Sequence, residues 1–241
     1  MTPLRILVYI FLLSTYKTLP FAYVIRFYHV IVRNLLFHRS QYNHNNKLNT
    51  FGRGVTNPLD VFKPAITKTY VSPLEIDMYL HKSNSTYFID LDIARTDLVT
   101  KVFQKLFFRY FDNDNGHFPK AGKISNFPYV PVAAVETHFK HELRVFQPFE
   151  IHSQVLAWDK KWLFILSKFV TKSAKGDEKI CAITITKYVF KRGRLTISPE
   201  EMLKECGYWS DEVDQLNKKH YPVVQDMATT DKLEELAMAM K

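Results

Sequence analysis

The chain has 241 residues, of which 46% are hydrophobic and 24% charged, and its formal net charge is +9. This composition excludes a disordered, collagen-like or low-complexity protein. The length suffices for a hydrophobic core that is stable without disulfides or a structural metal. The two cysteines, Cys181 and Cys206, are too few and too far apart for a disulfide framework, a zinc ribbon or a redox pair. The chain has seven glycines and no glycine-rich phosphate loop, which argues against an NTPase or a Rossmann dehydrogenase.

The positive charge is concentrated at the N-terminal end. The first acidic residue is Asp60, and seven lysines and arginines precede it. A basic excess confined to one end favours a membrane surface or a targeting role over a nucleic-acid-binding face. We therefore expect no nucleic-acid partner.

Residues 1–40 are apolar as well as basic. Hydrophobic runs cover 6–13 and most of 19–25, but Lys17 and Pro20 interrupt them, and a spanning helix needs about 20 apolar residues. Three interpretations stay open: a membrane anchor in which Lys17 snorkels or pairs, a mitochondrial presequence, or a secretory signal, whose small-residue cleavage site is missing. For an anchor, the arginines after the apolar run place the following domain in the cytosol.

The next stretch, residues 41–59, is rich in asparagine and contains Gly52 and Gly54. We predict a polar linker here and place the domain boundary near residue 60. The β-branched residues of 65–71 predict a strand.

A long helix is predicted from Asn84 to Phe111. This segment has no glycine or proline, and its apolar residues recur every three or four positions. The side chain of Asn84 is expected to cap the start of the helix.

Strand-like runs follow the helix, over 129–139, 149–158, 162–171 and 179–190. The short connections between them require antiparallel neighbours. This order predicts an α+β domain over 60–198, an antiparallel sheet wrapped around one long helix.

The remaining residues, 199–241, are predicted to form a helical tail, with Glu234, Glu235 and 237–240 favouring helix. His138 and His141 are three positions apart and therefore face opposite sides of a strand, so no metal site is expected there.

The segment 77–95 combines, in order, Asp77, His81, Ser83, Asn84, Tyr87, Asp90, Asp92, Ala94 and Arg95. This pattern resembles the signature of the hotdog-fold 4-hydroxybenzoyl-CoA-thioesterase-like superfamily. A second block, residues 143–150 with Trp158-Asp159 and 198–200, resembles a narrower group, thioesterase superfamily member six, whose members also begin with an apolar segment. The resemblance covers roughly residues 60–210.

The resemblance implies a homodimer with acyl-CoA sites at the subunit boundary and no cofactor. Asp77 is then the nucleophile or general base that acts on the thioester, and a backbone N–H near Asn84 polarises its carbonyl group. His81 is a further catalytic candidate or a residue that fixes the loop, and Ser83 and Tyr87 are candidate substrate-binding residues. The family's Asn-Asn pair is Ser83-Asn84 here, and Lys82 follows His81.

Other readings of the same residues remain. Asp77 also suits a turn, and Tyr87 suits the core or a dimer interface. At the level of function, the alternatives to an acyl-CoA thioesterase are a non-catalytic hotdog protein that binds acyl-CoA or lipid, a scaffold, or an assembly protein without a small ligand. By resemblance we expect the endoplasmic reticulum membrane with the domain in the cytosol, and the mitochondrion is the alternative.

Overall fold

The computed structural model describes residues 2–172, 176–228, 235 and 237–239. The helices are α1 (Pro3–Thr15), α2 (Ala22–Ile31), α3 (Arg39–His44), α4 (Tyr87–Val102), α5 (Gln104–Asp112), α6 (Pro199–Glu205), α7 (Asp211–His220) and α8 (Gln225–Ala228). The strands are β1 (Ala65–Tyr70), β2 (Val132–Phe139), β3 (Pro148–Trp158), β4 (Leu163–Lys172), β5 (Glu178–Tyr188), β6 (Phe190–Arg192) and β7 (Leu195–Ile197).

The main sheet has five strands in the order β1-β3-β4-β5-β2, and every neighbouring pair is antiparallel. The predicted strands are thus found, with ends shifted by a few residues. The last predicted run is divided, because β5 ends at Tyr188 and the chain then forms the separate hairpin β6-β7. β1 and β2 precede and follow the helical region in sequence and form the two edges of the sheet.

Helix α4 packs its buried face on this sheet. Leu91, Ala94 and Leu98 recur at helical spacing and are fully buried. The first two share a core cluster with Ile151 of β3 and Phe169 of β4. An antiparallel sheet packed on one long helix is the α+β arrangement that the hotdog resemblance predicts.

The single helix predicted over 84–111 is divided in the structure. A 3₁₀ turn covers Asn84–Thr86, α4 follows, and Phe103 separates α4 from α5. Phe103 packs edge-to-face on Phe190, and the buried Gln104 side chain donates to the Asn34 carbonyl oxygen at 2.9 Å. These contacts come from distant parts of the chain, so the local pattern could not show the break.

The stretch predicted to be a linker packs on the domain, so that prediction is wrong for its buried positions. Tyr42 is completely buried, with its ring 4.5 Å from that of Phe108. The backbone N–H of Thr50 donates to the side-chain oxygen of Gln104 at 2.9 Å. The asparagine-rich composition therefore reflects turns that lie against α5 and its neighbours rather than a free connection.

The N-terminal segment has two different parts. Helix α1 is exposed from Pro3 to Leu13, whereas α2 packs along α4. Beyond α2, Arg33 forms an ion pair with Asp97 at 2.6 Å, and Asn34 donates to the same carboxylate at 2.9 Å.

No single helix in the described part of the chain is long and apolar enough to cross a bilayer. Two consecutive helical stretches, Pro3–Thr18 and Ala22–His44, meet the length and composition criteria together, with a bend of 56° between them.

The C-terminal region starts with helices, as predicted. The Asn217 side chain of α7 accepts from the Trp158 backbone N–H at 2.8 Å and donates to its carbonyl oxygen at 3.1 Å, which ties the tail to β3. Of the helix predicted around 234–240, residues 235 and 237–239 are described and are helical, and the others lie outside the described residues.

Candidate functional site

A narrow loop precedes the helical region and carries Asp77 and His81. The Asp77 N–H donates to the His81 carbonyl oxygen at 2.9 Å, and the Leu80 N–H donates to the Asp77 carbonyl oxygen at 3.0 Å. Ile76 and Lys82 close the loop as an isolated antiparallel bridge. The turn needs a positive φ of 62° at Leu80. The loop therefore holds Asp77 and His81 next to each other at the mouth of a cleft.

This cleft has a volume of ≈ 430 Å³, which is in the range of small-molecule sites. Four of the predicted site residues line it: Asp77, His81, Asn84 and Tyr87. The other lining residues are Tyr79, Lys82, Phe139, Lys140, His141 and Glu142. Ser83 is not among them, because its N–H donates to the Glu75 carbonyl oxygen at 2.7 Å and its hydroxyl lies 3.1 Å from that of Ser85.

The Asp77 side chain is exposed to solvent. Its Oδ1 accepts from the Tyr79 N–H at 2.9 Å, which is an Asx turn. The other oxygen has no hydrogen-bond or ion-pair partner within the described ranges. One carboxylate oxygen thus fixes the loop, and the other is available to a ligand.

His81 faces the opposite wall of the cleft. Its Nε2 lies 3.0 Å from Oε2 of Glu142, and the residue forms an isolated bridge with Arg144. Because the Glu142 side chain is mostly exposed, this pair orients the imidazole more than it stabilises the fold.

The start of the helical region offers free hydrogen-bond donors. The Thr86 N–H donates to the Ser83 carbonyl oxygen at 2.9 Å, but no acceptor in the described structure takes the N–H of Asn84 or of Ser85. Unpaired N–H groups are normal for a helix start and favour a negative oxygen. The prediction that the Asn84 side chain caps the helix is wrong. The residue that precedes α4 is Thr86, and neither the 3₁₀ turn Asn84–Thr86 nor α4 has a side-chain cap at its start.

Tyr87 forms the inner wall of the cleft. Its side chain is buried, with ring centroids 5.1 Å from Phe139 and 5.0 Å from Phe169. The Lys82 ammonium lies 5.4 Å from the ring centroid. Burial raises the pKa of the Tyr87 phenol above its ordinary value, so the hydroxyl is neutral at physiological pH.

Behind this wall lies a buried charge cluster, defined as Lys17, Glu75, Lys82 and Asp90. The Lys82 ammonium is 3.1 Å from Glu75 Oε1 and 2.9 Å from Asp90 Oδ2, and these side chains are at most 1% exposed. Burial by itself raises the pKa of Asp90. The nearby cations Lys82, Lys17 and Arg26 have the opposite and larger effect, so the pKa lies below its ordinary value.

Sequence reasoning missed the role of this cluster. In the sequence, Asp90 stands out only as part of the motif, and Lys82 only as a departure from the family pattern. Glu75 had a local signal: Ser72 and Glu75 form a capping box, whose spacing of three is readable in the sequence.

Two further features surround the cleft. A second hollow of ≈ 700 Å³ shares Lys140, His141 and Glu142 with it and adds the cations Arg144 and Lys179. Within the described ranges, no group of three or more His, Cys, Asp or Glu side chains is arranged to hold a metal ion.

Comparison with known sequences gives consistent matches. The profile of the thioesterase-like superfamily matches residues 71–205. A Saccharomyces cerevisiae protein described as a probable thioesterase is 36% identical over 219 residues, which are 90% of this chain and 85% of that protein. Thioesterase lcsJ of Purpureocillium lilacinum is 38% identical over 165 residues, which are 64% of this chain and 53% of that protein. Protein THEM6 of Xenopus laevis is 24% identical over 128 residues, 53% of each chain.

Among solved structures, a mutant acyl-CoA hydrolase from Staphylococcus aureus superposes with a TM-score of 0.51. The match has 7% sequence identity and covers 74% of this chain and 94% of that one. At this identity the likeness concerns the fold, and it agrees with the antiparallel sheet around α4.

Proposed function

This chain belongs to the thioesterase-like superfamily, and we propose that it is a thioesterase that hydrolyses acyl-CoA thioesters in the cleft between Asp77 and the start of the helical region. One observation carries the proposal. The cleft combines a carboxylate that has a free oxygen with the unpaired N–H group of Asn84.

These groups match the needs of thioester hydrolysis. In the general-base route, Asp77 takes a proton from water while the water oxygen bonds to the acyl carbon. The charge that develops on the carbonyl oxygen is stabilised by the N–H group of Asn84. The C–S bond then breaks, and the thiol leaves with the proton that Asp77 held. In the nucleophilic route, an Asp77 oxygen bonds to the acyl carbon, the C–S bond breaks, and the CoA thiolate leaves and takes a proton from water. Water then hydrolyses the resulting mixed anhydride, which releases the fatty acid and restores the Asp77 carboxylate.

The remaining lining residues have supporting roles in this proposal. Glu142 holds the imidazole of His81 beside Asp77, where this imidazole can donate a proton to the leaving thiolate. Tyr87 supplies an aromatic wall for the acyl group. Ser83 maintains the turn that presents the free N–H groups. The cations of the second hollow, Arg144 and Lys179, suit the phosphates of CoA.

A second candidate function is binding without hydrolysis. The observation that favours it is the Asx turn, in which Asp77 Oδ1 already serves the Tyr79 N–H. A carboxylate that acts only in this turn would leave a cleft for acyl-CoA or lipid without a base, as in a scaffold or carrier.

Membrane association through residues 1–40 is part of the proposal. Helix α1 is apolar and exposed from Pro3 to Leu13, with Leu7 63% and Leu13 72% exposed. A lipid surface is the environment that such a helix favours. We retain the endoplasmic reticulum with the domain in the cytosol as the proposed location, and the mitochondrion as the alternative.

A homodimer is also proposed. Strand β2 pairs only with β5 in the described structure, so its other edge is open. That edge carries Val132, Val135 and Phe139, which are 36–41% exposed. Since Phe139 also lines the cleft, a second copy that pairs with β2 would complete the site from the partner side.

The test of the proposed function is a panel of acyl-CoA esters of increasing chain length, offered to the whole chain in detergent. Release of free thiol above the uncatalysed rate supports the thioesterase. Saturable acyl-CoA binding without thiol release supports the carrier or scaffold. Absence of both would contradict an acyl-CoA site altogether.

A further inference from the structure

The buried charge cluster connects the N-terminal segment to the candidate site. Lys17 lies in the 3₁₀ turn Tyr16–Thr18 between α1 and α2. Its ammonium is 2.8 Å from Glu75 Oε2 and 3.0 Å from Asp90 Oδ2. Its side chain is 1% exposed, as are those of both acids.

The charges of the cluster balance only when the N-terminal segment is present. From residue 60 onwards the domain supplies two carboxylates, Glu75 and Asp90, but one ammonium, Lys82. The N-terminal segment adds Lys17, and from the rim it adds Arg26, which is 2.9 Å from Asp90 Oδ1 and 20% exposed. A buried ion that loses its partner is strongly destabilising. The segment is therefore required to neutralise the acids behind the cleft.

The same cluster holds both ends of the site loop. Glu75 Oε2 accepts the Ser72 N–H at 2.8 Å, and the Glu75 carbonyl oxygen accepts the Ser83 N–H at 2.7 Å. The Lys82 N–H donates to the Leu143 carbonyl oxygen at 2.7 Å. Asp77 lies between these fixed points, so a displacement of Glu75 or Lys82 displaces the carboxylate relative to the helix start.

We infer that Lys17 is a positioning residue of the site: it seats the N-terminal segment on Glu75 and Asp90 and thereby sets the geometry of the loop 75–86. The effect on turnover rests on the proposed function, whereas the effect on the loop does not. The segment that carries the exposed helix α1 is then needed for the geometry of the catalytic loop. It is not a detachable anchor.

The experiment replaces Lys17 by methionine in the whole chain, which removes the ammonium and keeps most of the apolar stem. The matched control is Lys47→Met, because Lys47 pairs with Asp114 at 3.1 Å on the surface and is 53% exposed. Amide hydrogen exchange is measured for peptides that cover 75–86 and, as an internal reference, 163–172. Steady-state hydrolysis of an acyl-CoA is measured in parallel.

Lys17→Met is expected to speed exchange in 75–86 by about tenfold or more, with 163–172 unchanged. The kcat is expected to fall about 10- to 100-fold, because a small misplacement of a reacting group has effects of that size. The KM should stay within about threefold, since the aromatic wall of Tyr87 and Phe139 lies outside the displaced loop. Lys47→Met should change neither quantity.

Several results would overturn the inference. Unchanged exchange in 75–86 excludes the coupling, whether or not the wild-type chain hydrolyses acyl-CoA, so a failure of the proposed function is separately visible. Faster exchange with an unchanged kcat excludes the positioning role.

If Lys17→Met loses protection everywhere, the double variant Lys17→Met/Glu75→Gln decides, because it restores the charge balance. Recovery of the fold by this variant, and not by Lys17→Met/Glu200→Gln, supports the inference. Failure of both variants to recover overturns it.

Discussion

The ammonium of Lys17 lies 3.0 Å from Oδ2 of Asp90, in the first turn of the long helix, and both side chains are excluded from solvent. Asp90 also receives Lys82 and Arg26, so one carboxylate joins the N-terminal segment, the site loop and the central helix. A charged contact of this kind is sensitive to the loss of any one member, because the remaining ions stay buried without compensation. Stability and site geometry therefore depend on the same few atoms.

Asp90→Asn should destabilise the fold by about 3–5 kcal/mol at neutral pH, because it leaves two buried ammonium groups, Lys17 and Lys82, with Glu75 as their one acid. The control Asp114→Asn breaks the surface pair with Lys47 and should cost about 1 kcal/mol or less. Urea unfolding of the whole chain measures both values. A loss at Asp90 no larger than the control would contradict the importance of the cluster.

The stability should also depend on pH through Asp90. Its pKa is lower in the folded chain than the ordinary value of 3.8, so the folded state favours the ionised form. This contribution is complete above the ordinary pKa and disappears as the pH falls through the lowered one. The wild-type free energy of unfolding should therefore fall below about pH 4, and the Asp90→Asn variant should lack this part of the decline. Parallel declines in the two proteins would contradict the assignment.

Truncation should separate the two parts of the N-terminal segment. A chain without residues 2–14 loses the exposed helix α1 but keeps Lys17 and α2, so it should fold and no longer float with phosphatidylcholine/phosphatidylserine vesicles. A chain without residues 2–40 also loses Lys17, Arg26 and the Arg33–Asp97 pair and should not reach a stable fold. Flotation and circular dichroism measure the two properties. Vesicle binding by the shorter deletion would place the membrane contact elsewhere.

Tyr87→Phe should separate the packing of this ring from its hydroxyl. The aromatic contacts with Phe139 and Phe169 remain, so stability should change by no more than about 0.5 kcal/mol. If the hydroxyl contacts the substrate in the cleft, the KM should rise roughly threefold to tenfold, the worth of one hydrogen bond. An unchanged KM would exclude a contact between the hydroxyl and the substrate and leave Tyr87 with its aromatic ring alone.

The proposed dimer is tested at the open edge of β2. A lysine in place of Val135 adds a charge to a strand edge that is expected to pair with its copy, and charged edges oppose such pairing. Light scattering in detergent should therefore show a dimer for the wild-type chain and a monomer for Val135→Lys. A monomeric wild-type chain would contradict the proposed dimer.

The sequence predicted the elements whose signals are local. β-branched alternation located β1 within a residue at its end, and helical spacing located the buried face of α4. The break at Phe103 could not be read from the sequence, because it depends on packing against Phe190 and on the hydrogen bond from Gln104 to Asn34.

The site was partly predictable for the same reason. Asp77, His81, Asn84 and Tyr87 fall in one short segment, and the structure places all four at one cleft. The Lys17 side chain was expected either to snorkel or to pair, and nothing in its neighbourhood identifies Glu75 and Asp90 as its partners. Pairings between distant charges are a property of the fold and not of the local sequence.

The most direct test of the central claim is the rate of acyl-CoA hydrolysis by Asp77→Asn against the wild-type chain. Asparagine keeps an oxygen for the Asx turn with Tyr79 and removes the base, so loop and fold should persist. The matched control is Asp214→Asn, whose acid pairs with Lys218 at 2.6 Å on α7. We expect kcat to fall about 10²- to 10⁴-fold in Asp77→Asn and to be unchanged in the control. An Asp77→Asn variant that hydrolyses acyl-CoA at the wild-type rate would contradict the account.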